Sequence, residues 1–339
     1  MKKKKMYIIS GLAIICIVLF IYAYSILSTG FNIDKTVYLY IDESRNYETL
    51  RQEVKETAKI KNISNFDMLS SVLDCKENLK AGRYAVSPDM NIYDLIKALR
   101  SGHQTPVKLK FNNIRTKDDL AQRISEQLMM SEESLLNILN DSLKCKELGF
   151  TPATVVAMFI PNTYEFYWDV DTDKFLRRMD KEYQKFWNAG RLAKAKEINL
   201  TPVEVSALAS IVEEECMFTD EYPKVAGLYV NRLRVGQELQ ADPTVKFAVG
   251  DFSLRRILNK HTEVDSPYNT YRHRGLPPGP IRIPSIKGID SVLNYTKHDY
   301  FYMCAKDDFS GYHNFSTNYS EHLINRAKYK KALDARGIK

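Results

Sequence analysis

The sequence predicts an α+β protein in two parts behind an apolar N-terminal segment, and three observations support this. Short β-like runs, VYLYI and YFYMC, lie towards the two ends; helical periodicity dominates beyond residue 150; residues 7–27 are almost unbroken apolar sequence. A chain of 339 residues is long enough for two domains at roughly 150 residues each.

Taken in order, Lys2, Lys3, Lys4 and Lys5 precede an uncharged stretch over residues 6–30. About 20 apolar residues span a bilayer as a helix, and flanking lysines stay on the cytoplasmic side. The segment 1–30 is therefore expected to be a single transmembrane helix with the N-terminus inside and the rest of the chain extracytoplasmic. A cleaved signal peptide is the competing reading, but its apolar region runs roughly 7–15 residues and ends at an A-x-A-like site, which is not evident here.

Residues 36–41 read as a strand and residues 47–73 as a mixed helical region. A second strand ends near Val86, Asn91 caps a helix over 92–99, and Gly102 stops it. These make a small α/β module over 31–110. Residues 107–111 read as a strand, Thr116 with Asp119 caps a helix running through Leu128, and another helix covers 132–139. Without a Ser/Gly/Pro-rich linker, the region 111–150 is assigned to neither part. Beyond it, helices are expected over 172–188, 201–216, 223–233, 243–249 and 320–333, with a strand over 300–304.

Composition removes several function classes. The formal charge of +7 falls to +3 without the four N-terminal lysines, too little to argue for a nucleic-acid partner. Cys75, Cys145, Cys216 and Cys304 lack metal-type spacing, and His313 and His322 lack the supporting carboxylates of a zinc site, so no metal is expected. G-x-S-x-G, a Gly-rich phosphate loop and a Cys/His nucleophile motif do not occur, and no cofactor is expected.

Acid–base chemistry remains. Thr201, Pro202 and Glu204 fix the start and register of the helix TPVEVSALASIVEEEC. In that register Val205, Leu208, Ile211 and Val212 form an apolar face that Glu215 joins, whereas Glu213 shares the side of Ser206, Ala209 and Ser210. A carboxyl group buried against aliphatic neighbours holds its proton to higher pH, as a general acid must. A solvated, frayed acidic helix end is the alternative, although acidic residues are unfavourable there. Candidate partners crowd the loops between residues 231 and 322. Asp242 ahead of Pro243 reads as a helix cap. Tyr268, Asn269 and Tyr271 precede a stiff GLPPGP loop and could face sugar rings, or could be ordinary surface residues. Glycoside hydrolysis usually uses two carboxylates about 5–5.5 Å or roughly 6.5–9.5 Å apart. With Asp242 read as a cap, a single Glu that first donates and then removes a proton suits a reaction whose nucleophile is a hydroxyl of the substrate itself.

The blocks LASIVEEEC, NRLRVGQELQADPTV, YNTYRHRGLPPGPI and HNFSTNYSEH, in this order and spacing, resemble the signature blocks of the MltG/YceG-like endolytic murein transglycosylases. FIPNTYEF resembles the block ahead of that family's catalytic region, and AGRYAVSPDMNIYDLIKALRSG its LysM-like module. The resemblance spans roughly residues 36–335. It implies a mostly helical, lysozyme-like catalytic domain over 151–339 that cleaves the MurNAc–GlcNAc β-1,4 bond within peptidoglycan strands and leaves 1,6-anhydro-MurNAc ends. It also implies Glu215 as catalytic acid, with Glu213 as second choice, and Asn231, Gln240, Asp242, Tyr268, Asn269, Tyr271 and Asn318 as substrate-binding residues. Cys216 stands where related transglycosylases carry Ser or Thr. Glycan polymerases and transpeptidases are the implied partners at the membrane. A lysozyme-type muramidase and a non-cutting glycan-binding scaffold are the alternatives.

Overall fold

The computed structural model describes residues 10–18, 20, 21, 24, 28, 30–254 and 256–337. Residues 10–18 are helical, but most of the expected anchor's flanks lie outside the described residues. Among those described, no helix is long and apolar enough to cross a membrane.

The chain separates into two compact units, and both are built from small sheets and many helices. The first comprises Met1–Leu109 with two later insertions, Glu126–Met130 and Tyr164–Asp171. Its β1 (Val37–Ile41) pairs antiparallel with β2 (Gly82–Val86), Val37 opposite Val86 and Ile41 opposite Gly82. Alternation puts Leu39, Ile41, Tyr84 and Val86 on the covered face, because successive strand side chains point to opposite sides. Between the strands run α1 (Tyr47–Glu56), α2 (Ile63–Val72) and the single turn α3 (Cys75–Asn78). The mixed helical region expected over 47–73 divides at residues 57–62, where Asn62 caps the second helix through the N–H groups of Ser64 and Asn65. Asn91 and Gly102 bound α4 (Ile92–Ser101) as the sequence indicates, with Gly102 left-handed at φ 71°. Leu50, Val54, Phe66, Ile92, Leu95, Ile96 and Leu99 close this unit's core.

A second small sheet pairs β3 (Val107–Lys110) with β4 (Thr163–Phe166). The late insertions are bound into the first unit by specific contacts. Trp168 packs edge-on to Tyr40 at 5.1 Å, Asp169 accepts both bonds of the Gln104 amide at 3.0 Å, and Met129 N–H donates to the Trp168 carbonyl. Region 111–150 thus divides, with Glu126–Met130 in the first unit and its remainder in the second.

The second unit opens with α5 (Lys117–Ser125), which stops short of Leu128, and continues through α6 (Glu132–Asn140), α7 (Ser142–Glu147) and a 3₁₀ turn at Val155–Met158. The expected helix over 172–188 is α8 (Thr172–Phe186). Asn188 then caps a further helix, α9 (Ala189–Glu197), not expected from the sequence. At the centre stands α10 (Pro202–Glu215), begun by the reciprocal Thr201–Glu204 box. Around it pack α9, α11 (Tyr222–Val235), α12 (Asp242–Val249) and α14 (Ile286–Leu293), while the single turn α13 (Asn259–Thr262) follows α12. Two antiparallel strands, β5 (Tyr302–Ala305) and β6 (His313–Ser316), and the final helix α15 (Tyr319–Ala335) complete it.

The faces of α10 differ from those its sequence predicts. Its residues from Val205 to Glu213 are all buried, so Ser206, Ser210 and Glu213 lie as deep as the expected apolar face. A helix covered on all sides is a core helix. Its hydroxyls are satisfied locally, Ser206 Oγ by the Pro202 carbonyl and Ser210 Oγ by Ala207, and Ser210 Oγ also accepts the Ile281 N–H at 3.0 Å. Small Ala and Ser side chains let neighbouring elements approach the face that looked polar in sequence.

Candidate active site

The three glutamates that end α10 face three different surroundings. Glu213, 9% exposed, accepts the N–H of Ser285 at 2.9 Å and the Ser285 hydroxyl, with Arg282 at 3.6 Å. Ser285 caps α14, so Glu213 fastens the start of that helix. Glu214 is gripped by two guanidinium groups, Arg115 at 2.7 and 2.9 Å and Arg282 at 2.7 Å. Glu215 instead meets the hydroxyl of Tyr229, which donates to its Oε1 at 3.1 Å from the fully covered face of α11.

Glu215 keeps some exposed surface at the helix end, which makes it less enclosed as a residue than Glu213. Burial of its carboxyl group, and then the negative charge of Asp242, push its pKa from 4.5 to about 7. His313, the Tyr229 hydroxyl and Arg232 pull the other way. Burial and the nearby Glu215 likewise hold the Tyr229 phenol well above its usual range, so it remains a donor.

Asp242 is not the cap that its sequence context suggests. Ala241 occupies the N-cap position of α12 without a side-chain bond, and the start is tied by Thr244 and Thr270, whose hydroxyls share a 2.8 Å bond. Thr270 Oγ1 also accepts the Ala241 N–H, and Thr244 Oγ1 donates to the Ala241 carbonyl. With the helix end served by threonines, Asp242 is free to accept the Tyr271 hydroxyl at 2.6 Å. Burial, then Asp242, raise the Tyr271 pKa well above the usual value. A second carboxylate thus lies in the electrostatic reach of Glu215.

The remaining sequence candidates occupy varied roles. Gln240 is exposed and left-handed at φ 47°, its N–H bonded to the Thr270 carbonyl, which presents its amide outward just before Asp242. Asn231 donates to the carbonyls of His298 and Tyr300, Asn269 to those of Thr262 and Val264, and Asn318 caps α15; all three hold backbone. Tyr268 packs on Phe247 at 4.7 Å and, with Arg115, Thr116 and Pro280, lines a cavity of about 360 Å³. Sequence reasoning missed Tyr229 and Glu221, and named Arg232 only as one polar residue of its segment. Arg232, 7% exposed, donates to the carbonyls of Phe301 and Leu239, which places a fixed cation behind the site. The only sequence signal for it is a charged residue in the helical register of Val225, Leu228 and Tyr229. Of the two histidines, His313 is taken by Glu221 and His322 stacks on Tyr302.

A carboxyl group whose pKa is raised by burial, set at the end of a core helix within electrostatic reach of a tyrosine-bonded second carboxylate, has the chemistry of a candidate acid–base site on an α+β scaffold. The pattern of the YceG-like family matches residues 39–328, and the chain belongs to that family. It is 26% identical to a Streptococcus pneumoniae protein (serotype 2, strain D39) named endolytic murein transglycosylase, over 90% of this chain and 60% of the relative. A Bacillus subtilis (strain 168) protein of the same name is 29% identical over 74% of this chain and 72% of its own length. The chain thus spans about 60% of the length of the pneumococcal relatives. A crystal structure of a yceG-like protein from Listeria monocytogenes is similar with a TM-score of 0.56 at 27% identity, covering 86% of this chain and 99% of that one.

Proposed function

We propose that the protein is an endolytic lytic transglycosylase of peptidoglycan, with Glu215 as acid and then base. The observation that carries this reading is the raised pKa of Glu215, which leaves a substantial protonated fraction near neutral pH. Glu215 protonates the leaving oxygen of the MurNAc–GlcNAc β-1,4 bond. An oxocarbenium-like sugar forms, for which the anionic Asp242 supplies compensating charge. The Glu215 carboxylate then takes the proton of the MurNAc C6 hydroxyl, whose oxygen closes the 1,6-anhydro ring. Tyr229 steadies the carboxylate between the two proton transfers. Glu213 is the weaker candidate because its Oε1 already holds Ser285 and its Oε2 faces Arg282. Tyr271, Gln240 and Tyr268 are the foremost glycan contacts, with Asn231, Asn269 and Asn318 shaping the loops around them.

The relatives' names and the family support peptidoglycan as substrate. On this reading residues 1–30 anchor the chain in the cytoplasmic membrane with the rest outside, residues 31–110 form a LysM-like glycan-holding module, and residues 151–339 carry the catalysis near glycan polymerases and transpeptidases. The antiparallel β1–β2 pair with helices between its strands supports the module.

Asp242 favours a second reading, because two carboxylates are the equipment of a lysozyme-type hydrolase. One experiment separates the two. Digestion of peptidoglycan by the purified protein, read by mass spectrometry, should yield anhydro-MurNAc ends. Reducing ends would establish the hydrolase instead, and no cleavage at all would leave a glycan-binding scaffold.

A further inference from the structure

The six residues after Glu215 carry a buried acid that the proposed reaction does not use. Glu221, 7% exposed, sits at the N-cap position of α11 yet makes no capping bond with its side chain. Both oxygens instead turn to the first residue of β6: Oε1 accepts the His313 N–H at 2.9 Å, and Oε2 accepts His313 Nδ1 at 2.6 Å. An ionised carboxylate only accepts, so the proton rests on Nδ1.

Neighbouring contacts make the connection a rigid one. Phe218 stacks on Tyr312 at 4.7 Å, the Tyr312 hydroxyl donates to Asp220 at 3.1 Å, and Gly311 at φ 84° brings the β5–β6 turn so close that a Cβ there would meet the Met217 sulfur at 2.6 Å. The segment between α10 and α11 is therefore bound along its length to one hairpin, and its last residue, Glu221, holds the His313 ring six residues after Glu215.

We propose that the Glu221–His313 pair is a positioning device for the catalytic carboxyl, fixing the end of α10 and holding an imidazolium that stabilises the Glu215 carboxylate formed when the proton is delivered. The proposal rests on Glu215 being the acid. Glu215 then stands in a balanced field: Tyr229 and Arg232 face it from α11, Asp242 from α12, Tyr271 from the loop before Gly275, His313 from β6, and Cys216 from its own helix end. Asp242 favours keeping the proton and His313 favours releasing it. A residue that must donate and then accept within one turnover needs both.

The test is the pH–rate profile of peptidoglycan cleavage by the full chain carrying His313→Gln or Glu221→Gln. His313→Gln removes the imidazole outright and Glu221→Gln removes the carboxylate that would pair with its charged form; either loss of the cation disfavours the Glu215 carboxylate, so the carboxyl stays protonated to higher pH and becomes a poorer donor. The alkaline limb should move up by about one pH unit and the rate at the optimum should fall about tenfold. A purely structural pair would lower the rate or the melting temperature with the limb in place, and that result in both variants would overturn the proposal. If His313→Gln fails to fold by circular dichroism, Glu221→Gln decides by the same limb, since its amide oxygen still accepts the His313 N–H. Glu215→Gln separates the two claims. Full activity there sinks the catalytic reading itself, whereas an inactive Glu215→Gln beside unmoved limbs sinks the positioning role alone.

Discussion

At the scale of single residues, adjacent identical side chains acquire unlike properties from what meets them. Glu213 meets a serine, Glu214 two arginines and Glu215 a phenol and an opposing anion. Glu215→Gln should lower peptidoglycan cleavage by about 10²–10⁴-fold, the usual contribution of a general acid–base group. Retained cleavage in the same assay would exclude the role. The same substitution has a sign in stability. A carboxyl raised from 4.5 to about 7 on folding ionises less readily in the native state, so stability is lost as pH rises through that window. Glu215→Gln should therefore melt several degrees higher than the parent at pH 8, with the difference vanishing below pH 4.5. Equal melting at both pH values would show that burial does not act on this group. Spacing alone distinguished Glu215 from its neighbours, but it could not show that Asp242 is released from capping. That depends on Thr270, 28 positions away, and on Tyr271 beside it.

At the scale of elements, α14 shows where pattern reading stopped. Ser285 is a good cap, and Ile286, Ile289, Val292 and Leu293 recur at helical spacing, but Gly288 and the proline-rich loop ahead of it read as more loop. Gly288 is required by the close approach of α10, because a Cβ there would lie 2.3 Å from Glu213 Oε1. Gly288→Ala should cost about 1–3 kcal/mol as an overpacking change, seen as a lower melting temperature. Unchanged melting would mean that Glu213 swings aside without loss. The helices with strong caps, α4 and α10, were legible because their start signals are local. The burial of α10 on every side was not, since it depends on elements brought up from α9 and α14.

At the scale of the whole molecule, the sequence could be read for two parts but not for how the chain alternates between them. Trp168 and Asp169 belong with Tyr40 and Gln104, partners 128 and 65 positions earlier. A chain beginning at residue 28 keeps the bonds of Gly30 to Met90 and Lys61, and should melt as the full chain does. A chain beginning at residue 111 strips Trp168 and Asp169 of these partners and should melt well below it by circular dichroism. Matching curves would show that the insertions are not tied as described.

That alternation also sets a schedule during synthesis. The first unit closes only when residue 171 has been made, 62 positions after residue 109. At about 5–20 residues per second a ribosome needs roughly 3–12 s for that interval. Throughout it the N-terminal core must wait with one edge open, so the growing chain passes through an incomplete state that any chaperone or export factor bound to it has to accommodate.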